Sequence, residues 1–227
     1  MEISALEKKL GFNFKKEDLL IEALTHRSYL NEFPKWRLPH NERLEYLGDA
    51  VLELIVSEEL FKKFPKQAEG QLTVLRAALV NYQILARVAE KIGLQEFILM
   101  SRGERKDVGR AREVILANAM ESVIGSMYMD QGLEKVRTFV KKFVMNNLDE
   151  VLTTKSYKDA KSELQEIVQE KLKLTPTYNV LDESGPAHKR IFTMGVYFNA
   201  KLIASGEGPS KQEAEIEAAK AALAKYK

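Results

Sequence analysis

The sequence predicts a two-domain α+β protein, an all-α helical bundle followed by an α-β-β-β-α domain. Three observations predict it. Apolar residues recur at helical spacing from Leu6 to about Leu148, with no β-alternation of useful length. That pattern lapses across a polar stretch near 149–158. Beyond it, three strand-like runs lie between two helical ones.

In the first domain, residues 1–148, helical repeats appear in Leu19-Leu20-Ala23-Leu24, Leu44-Leu47-Val51-Leu52-Ile55-Val56, Leu72-Leu75-Leu79 and Ile84-Leu85-Val88-Ala89-Ile92. They are broken at Phe33-Pro34, Pro39, Phe64-Pro65, Gly93 and across the polar, basic loop Ser101–Arg110. Val151-Leu-Thr-Thr-Lys-Ser-Tyr-Lys158 is short and unpatterned, so 149–158 reads as a linker. The second domain, 159–227, opens with a helix from Ala160 to Leu172, closed by Thr175-Pro176. Strands are expected over Thr177–Leu181, Arg190–Phe198 and Lys201–Ser205. The middle one alternates Ile191, Thr193, Gly195 and Tyr197 against Phe192, Met194, Val196 and Phe198, and Asn199-Ala200 turns the hairpin. A final helix follows Ser210, its N-cap, with Glu213 at the capping-box position.

Composition narrows the classes. The chain has 227 residues, 45% hydrophobic and 30% charged, as in ordinary globular proteins. Its apolar runs fall short of a membrane span, and the N-terminus alternates charged with apolar residues instead of carrying a signal core. A cytoplasmic protein with no membrane partner and no small-molecule cofactor is the expectation. Cysteine is absent, which excludes a disulfide framework, a thiolate metal site and a cysteine nucleophile. Thirty-five basic against 33 acidic residues give a net charge of +2, so any nucleic-acid surface must be a local patch.

Asn41-Glu-Arg-Leu-Glu-Tyr-Leu-Gly-Asp-Ala-Val51 sets Glu42, Glu45 and Asp49 close to one side of an otherwise apolar helix. Alone, such an acidic face is an ordinary solvated surface. A distant second pattern changes that: Asn118 and Glu121, three apart on another apolar helix, in Ile115-Leu-Ala-Asn-Ala-Met-Glu-Ser-Val-Ile-Gly125. Carboxylates projecting from facing helices are a recurrent way to build a divalent-metal site. With three histidines and no cysteine, zinc is disfavoured.

NERLEYLGDAVLE resembles the signature of the ribonuclease III family, endonucleases that cut double-stranded RNA. ALTHRSYLNE, EGQLTVLRAALV and ILANAMESVIGSMYMDQG match the rest of that nuclease domain in order and spacing. The second domain resembles the double-stranded-RNA-binding domain through KSELQE, GPAH and GEGPSK. The resemblance covers roughly Leu6 to the C-terminus.

It implies magnesium, with manganese as a possible substitute, held by Glu45, Asp49, Asn118 and Glu121. Asp49 and Glu121 would be the catalytic residues, and Glu42 an auxiliary acid. In the RNA-binding domain, Ser162, Gln165 and Glu166 would contact one minor groove, Pro186 and His188 the next, and Ser210 and Lys211 the phosphates between. Two departures stand out. Asn118 occupies a position where the family usually has Asp, bringing an amide dipole without a charge. Lys211-Gln-Glu-Ala-Glu215 replaces a more basic run, which lowers the counterion-release contribution to binding, with Lys189, Arg190 and Lys220 as candidate substitutes.

For the other family matches, packing or capping is the expected role of His26 and Arg27, and loop anchoring that of Trp36. The reading is a homodimeric, metal-dependent endoribonuclease that processes ribosomal and other structured RNA precursors. Its products would carry 5′-phosphate and 3′-hydroxyl ends with short 3′ overhangs. Apolar residues around Leu44, Leu47, Val51 and Leu52 point to the dimer interface, where the family places this helix. The alternative is a protein impaired by Asn118 that sequesters or presents structured RNA. A hydrolase of small phosphates is a more distant rival, opposed by the RNA-domain motifs.

Overall fold

Two helices of 22 residues each, α4 (Glu42–Lys63) and α7 (Arg110–Gln131), form the centre of the first unit, each about 33 Å long. α7 buries Leu116, Ala117, Ala119, Met120, Val123, Ile124 and Met127, together with the small residues Ser122, Gly125 and Ser126. A helix apolar on so much of its circumference belongs inside a bundle. Around this pair lie α1 (Ile3–Leu10), α2 (Glu17–Ala23), α3 (Arg27–Glu32), α5 (Glu69–Leu79), α6 (Tyr82–Ile92), α8 (Leu133–Phe143) and α9 (Leu148–Thr154). The computed structural model describes residues 2–106, 108–154, 160–186 and 190–226. The chain divides into two compact units, residues 1–157 and 158–227.

The α4–α7 contact is backbone against backbone. A Cβ at Gly48 would stand 1.8 Å from the Glu121 carbonyl oxygen, and one at Gly125 would stand 2.2 Å from that of Leu44. Glycine inside a helix costs about 1 kcal/mol relative to alanine. Here it permits an approach that no other residue allows.

A second device fixes the start of α4. Thr25 pairs with Leu99 in an isolated parallel bridge, and its carbonyl accepts from the Asn41 amide at 2.9 Å. His26 then caps α3, its Nδ1 accepting from the Ser28 amide at 3.4 Å and lying 2.8 Å from the Ser28 hydroxyl. Burial holds the His26 imidazole below its usual pKa, in keeping with the capping role expected for it. Trp36 is half-buried and stacks edge-on against Tyr29 at 5.2 Å, as loop anchoring requires.

The expected linker starts too early. Residues 149–154 are helical within α9, where Leu148 and Val151 are buried and Leu152 packs on the same core. Three apolar side chains at i, i+3 and i+4 suffice for one helical turn and a half, which the surrounding threonines and acids obscure in the sequence. The rest of the expected linker, residues 155–158, lies outside the described residues.

The second unit contains α10 (Ala160–Leu172), the antiparallel sheet β1-β2-β3 (Thr177–Ser184, Ile191–Phe198, Lys201–Gly208) and α11 (Lys211–Tyr226). Val196, Phe198 and Ala204 from the sheet pack with Leu164 and Val168 of α10 and Ala218, Ala219, Ala222 and Leu223 of α11. Of the two alternating faces of the middle strand, the one with Met194, Val196 and Phe198 is the more buried, and Asn199 takes a left-handed φ of 53° at the hairpin. β1 and β3 run three residues further than their alternation indicated. Register shifts after Val180 in β1 and between Ala204 and Leu202 in β3 account for it, because a bulge resets the period of two. Among the described residues no helix is long and apolar enough to cross a membrane.

Candidate active site and nucleic-acid interface

The glycine contact brings the acids together. Glu45 and Asp49 flank Gly48 on α4, while Glu121, whose carbonyl oxygen meets Gly48, belongs to α7. Their charges are coupled. The Glu121 carboxyl is pushed up to about 8, first by burial and then by the Asp49 and Glu45 charges. Glu45 is raised by burial and by the charges of Glu42 and Asp49, and Asp49 by burial and the Glu53 charge. Asn118 is half-buried on α7, one turn before Glu121.

A buried frame holds this cluster. The Ser122 hydroxyl donates to the Asn118 carbonyl at 2.8 Å and approaches the Asn41 carbonyl at 3.2 Å. The residue next to Glu121 is thus tied to the start of α4. Asn41 and Ser122 are both buried, so these bonds are shielded from water.

Glu42, expected as an auxiliary acid, also has partners outside the set. Its Oε1 lies 3.2 Å from Arg27 Nη1, and its Oε2 lies 3.8 Å from His40 Nδ1. Its charge also bears on Glu45, one turn along α4, while Arg27 approaches it from α3.

All four expected metal-site side chains offer oxygen, the donor that magnesium prefers. Among the described residues, no group of three or more His, Cys, Asp or Glu side chains is by itself placed to hold a metal ion. The donor chemistry still fits a hard divalent cation: the Asp49 and Glu45 charges raise the Glu121 carboxyl and the Asp49 charge raises Glu45, a repulsion that such an ion would relieve.

In the second unit, Ser162 and Gln165 line an open cavity of about 350 Å³ with Lys161, Gln212 and Ile216, between α10 and α11. Glu166 and Pro186 are exposed, and Gly185 before Pro186 takes a φ of +86°. His188 and Lys189 lie outside the described residues. Ser210 caps α11: its hydroxyl accepts from the Glu213 amide at 3.2 Å and donates to the Glu213 carboxylate at 3.0 Å. Lys211 extends over the Phe192 ring and pairs with Glu183 at 3.1 Å. Arg190 shares that carboxylate at 3.6 Å, and Lys220 pairs with Glu217 at 2.7 Å. Several basic groups of this unit are therefore already paired within the protein.

Comparison with known proteins decides the family. Residues 16–148 match the family model described as ribonuclease-III-like, and residues 160–226 match the double-stranded RNA binding motif. The chain belongs to the ribonuclease III family. Ribonuclease 3 of Carboxydothermus hydrogenoformans is 48% identical over 219 residues, covering 96% of this chain and 93% of that protein. Ribonuclease 3 of Listeria monocytogenes is 41% identical over 220 residues, covering 97% and 96%. The crystal structure of the nuclease domain of ribonuclease III from Campylobacter jejuni, 44% identical, matches with a TM-score of 0.58 over 64% of this chain and 95% of that one. A second structure of that domain, described for flexibility in a region involved in dimer formation, matches equally well.

The sequence reading missed one feature around these carboxylates and expected a different role for another. Gly48 and Gly125 set the helix approach, and their signal was glycine at mid-helix among large apolar residues. Arg27 was assigned to packing or capping, yet its side chain is exposed beside Glu42.

Proposed function

We propose that this chain is a magnesium-dependent endoribonuclease that cuts double-stranded RNA as a homodimer, leaving 5′-phosphate and 3′-hydroxyl ends with short 3′ overhangs. The supporting observation is the meeting of Glu45 and Asp49 with Glu121 at a backbone contact between α4 and α7, where burial and then the Asp49 and Glu45 charges push Glu121 up to about 8. Glu45, Asp49, Asn118 and Glu121 would hold the ion, with Asp49 and Glu121 the residues on which cleavage most depends. Manganese, which accepts the same oxygen donors, would substitute. A bound divalent ion supplies an activated water, charge neutralisation at phosphorus and stabilisation of the leaving oxygen. The protein's own part is to hold the carboxylates rigidly from two helices and to keep Glu121 partly shielded from water.

The nuclease domain would end near residue 148 or with α9, and the RNA-binding domain would occupy 159–227. Ser162, Gln165 and Glu166 from α10, Pro186 and His188 from the β1–β2 loop, and Ser210 and Lys211 at the start of α11 would read the width and 2′-hydroxyls of an A-form duplex. Ribosomal and other structured RNA precursors are the expected substrates.

Homodimerisation has support on α4 itself. Leu44, Val51 and Leu52 are buried in the core of their own chain, which corrects their expected place at an interface. The exposed apolar residues of the helix are Tyr46, Leu54 and Phe61, which recur along one stripe. No observation favours the binding-only alternative.

The test is long duplex RNA incubated with and without magnesium, followed by analysis of the product ends. Cleavage of the duplex alone is expected, with single-stranded RNA and duplex DNA spared. Full activity in chelator, or equal cutting of single strands, overturns the reading.

A further inference from the structure

Arg27 is a solvent-exposed cation on an unusually well-fixed backbone. Its side chain is 69% exposed, so packing does not explain it, and the capping of α3 is done by its neighbour His26. Its partner Glu42 is 47% exposed, and surface ion pairs of this kind contribute little to stability. The backbone on either side of them is hydrogen-bonded to distant segments. The His26 amide donates to the Leu99 carbonyl at 2.9 Å, and the Asn41 amide to the Thr25 carbonyl at 2.9 Å. Asn41 in turn meets Ser122, the neighbour of Glu121. Arg27, Glu42 and the catalytic carboxylates are thus set on one rigid frame, with Glu42 one turn from Glu45.

The site also has an electrostatic problem that such a cation answers. Glu45, Asp49 and Glu121 form an acidic cluster, and an RNA strand brings one negative charge per phosphate toward it. A divalent ion serves the phosphate being cut, whereas the flanking phosphates must be accommodated by the protein. Among protein side chains, arginine binds phosphate best, through a planar fork of donors and a charge that never titrates. Glu42 Oε1 lies 3.2 Å from Arg27 Nη1, and Glu42 is itself one turn from Glu45 on α4.

We propose that Arg27 binds a backbone phosphate flanking the scissile one, and that Glu42 is its positioning residue instead of a metal ligand. This rests on the nuclease reading above.

Steady-state cleavage of a defined duplex by the full chain tests it, with the magnesium concentration titrated for each protein. Arg27→Gln should lower kcat/KM by about ten- to a hundredfold, mainly through KM. Its half-saturating magnesium should stay within about twofold of the parent's, and its thermal unfolding should be unchanged. Arg27→Lys should recover part of the loss, since it keeps the charge and forfeits the fork. Glu42→Gln should resemble a milder Arg27→Gln, also with an unchanged magnesium requirement. Single methylphosphonate linkages, which remove one RNA charge each, should identify a flanking position that costs the parent activity but costs Arg27→Gln nothing further.

Arg27→Gln matching the parent overturns the proposal, as does a loss additive with every methylphosphonate. A shifted magnesium requirement in Glu42→Gln overturns the role given to Glu42. A parent that cuts no duplex overturns the nuclease reading itself, an outcome separable from these.

Discussion

At the scale of single residues, Glu121 sets the behaviour of the site. Its carboxyl moves from 4.5 to about 8 on folding, so the folded state binds the proton more tightly than the unfolded chain does. The sign follows: the stability present below about 4.5 is progressively lost as pH rises through about 8. Glu45 and Asp49, also raised, act in the same direction. In chelator, melting temperature should therefore fall between pH 5 and pH 8, and Glu121→Gln should flatten that decline. A melting profile indifferent to the substitution contradicts the shared-site electrostatics. The same substitution, and Asp49→Asn, should abolish cleavage while leaving duplex binding nearly intact, as gel-shift and cleavage assays on one RNA would show. Asn118 raises a charge question. Asn118→Asp adds a unit charge where the amide offers a dipole, and should lower half-saturating magnesium by about tenfold while changing the maximal rate less. Superimposable titrations of the two proteins would mean that position 118 takes no charge-dependent part in metal binding.

At the scale of elements, the α4–α7 contact decides whether a site exists. Gly48→Ala would drive a methyl group into the Glu121 backbone, so the helices must part. Destabilisation of about 3 kcal/mol or more is expected, with loss of cleavage, by urea unfolding and duplex assay. Gly70 is the internal contrast, because a Cβ there meets nothing within 4 Å on α5. Gly70→Ala should stabilise by about 0.4–1 kcal/mol; equal effects at the two glycines would refute the close-approach argument. Much of this architecture was legible in the sequence. The 3.6-residue repeats of α4 and α6 and the period of two in β2 mark the elements directly, while α7 is apolar nearly all round and so reads as a buried helix. The acid spacing picked out α4 and α7 as the helices whose carboxylates cluster, but not that Glu42 would also pair with Arg27. That depends on the Thr25–Leu99 bridge and the Asn41–Ser122 bond, contacts between segments far apart in the chain that no local pattern encodes. α9 and the extensions of β1 and β3 escaped for a local reason: short elements and bulges leave too few periods to read.

At the scale of the whole molecule, one chain supplies one acidic cluster, and severing a duplex requires two. Symmetric pairing resolves this, since a two-fold dimer matches the local two-fold relation between the strands of the duplex. The exposed stripe Tyr46, Leu54 and Phe61 lies on the same helix as Glu45 and Asp49, so pairing through it would set the distance between two sites with little intervening flexibility. Tyr46 is 83% exposed and Phe61 71%, an arrangement that costs free energy in water unless a partner covers it. The full chain should therefore sediment as a dimer at micromolar concentration. Leu54→Glu combined with Phe61→Glu should yield a folded monomer, because charges enter the stripe without touching the buried core. That monomer retains Glu45, Asp49 and Glu121, so it should nick one strand of a duplex instead of making paired cuts. Native and denaturing gels of the same digest distinguish the two, since a nicked duplex keeps its length only under native conditions. A monomeric parent, or a monomeric variant still releasing short duplexes with 3′ overhangs, would break the link between the α4 stripe and two-strand cleavage.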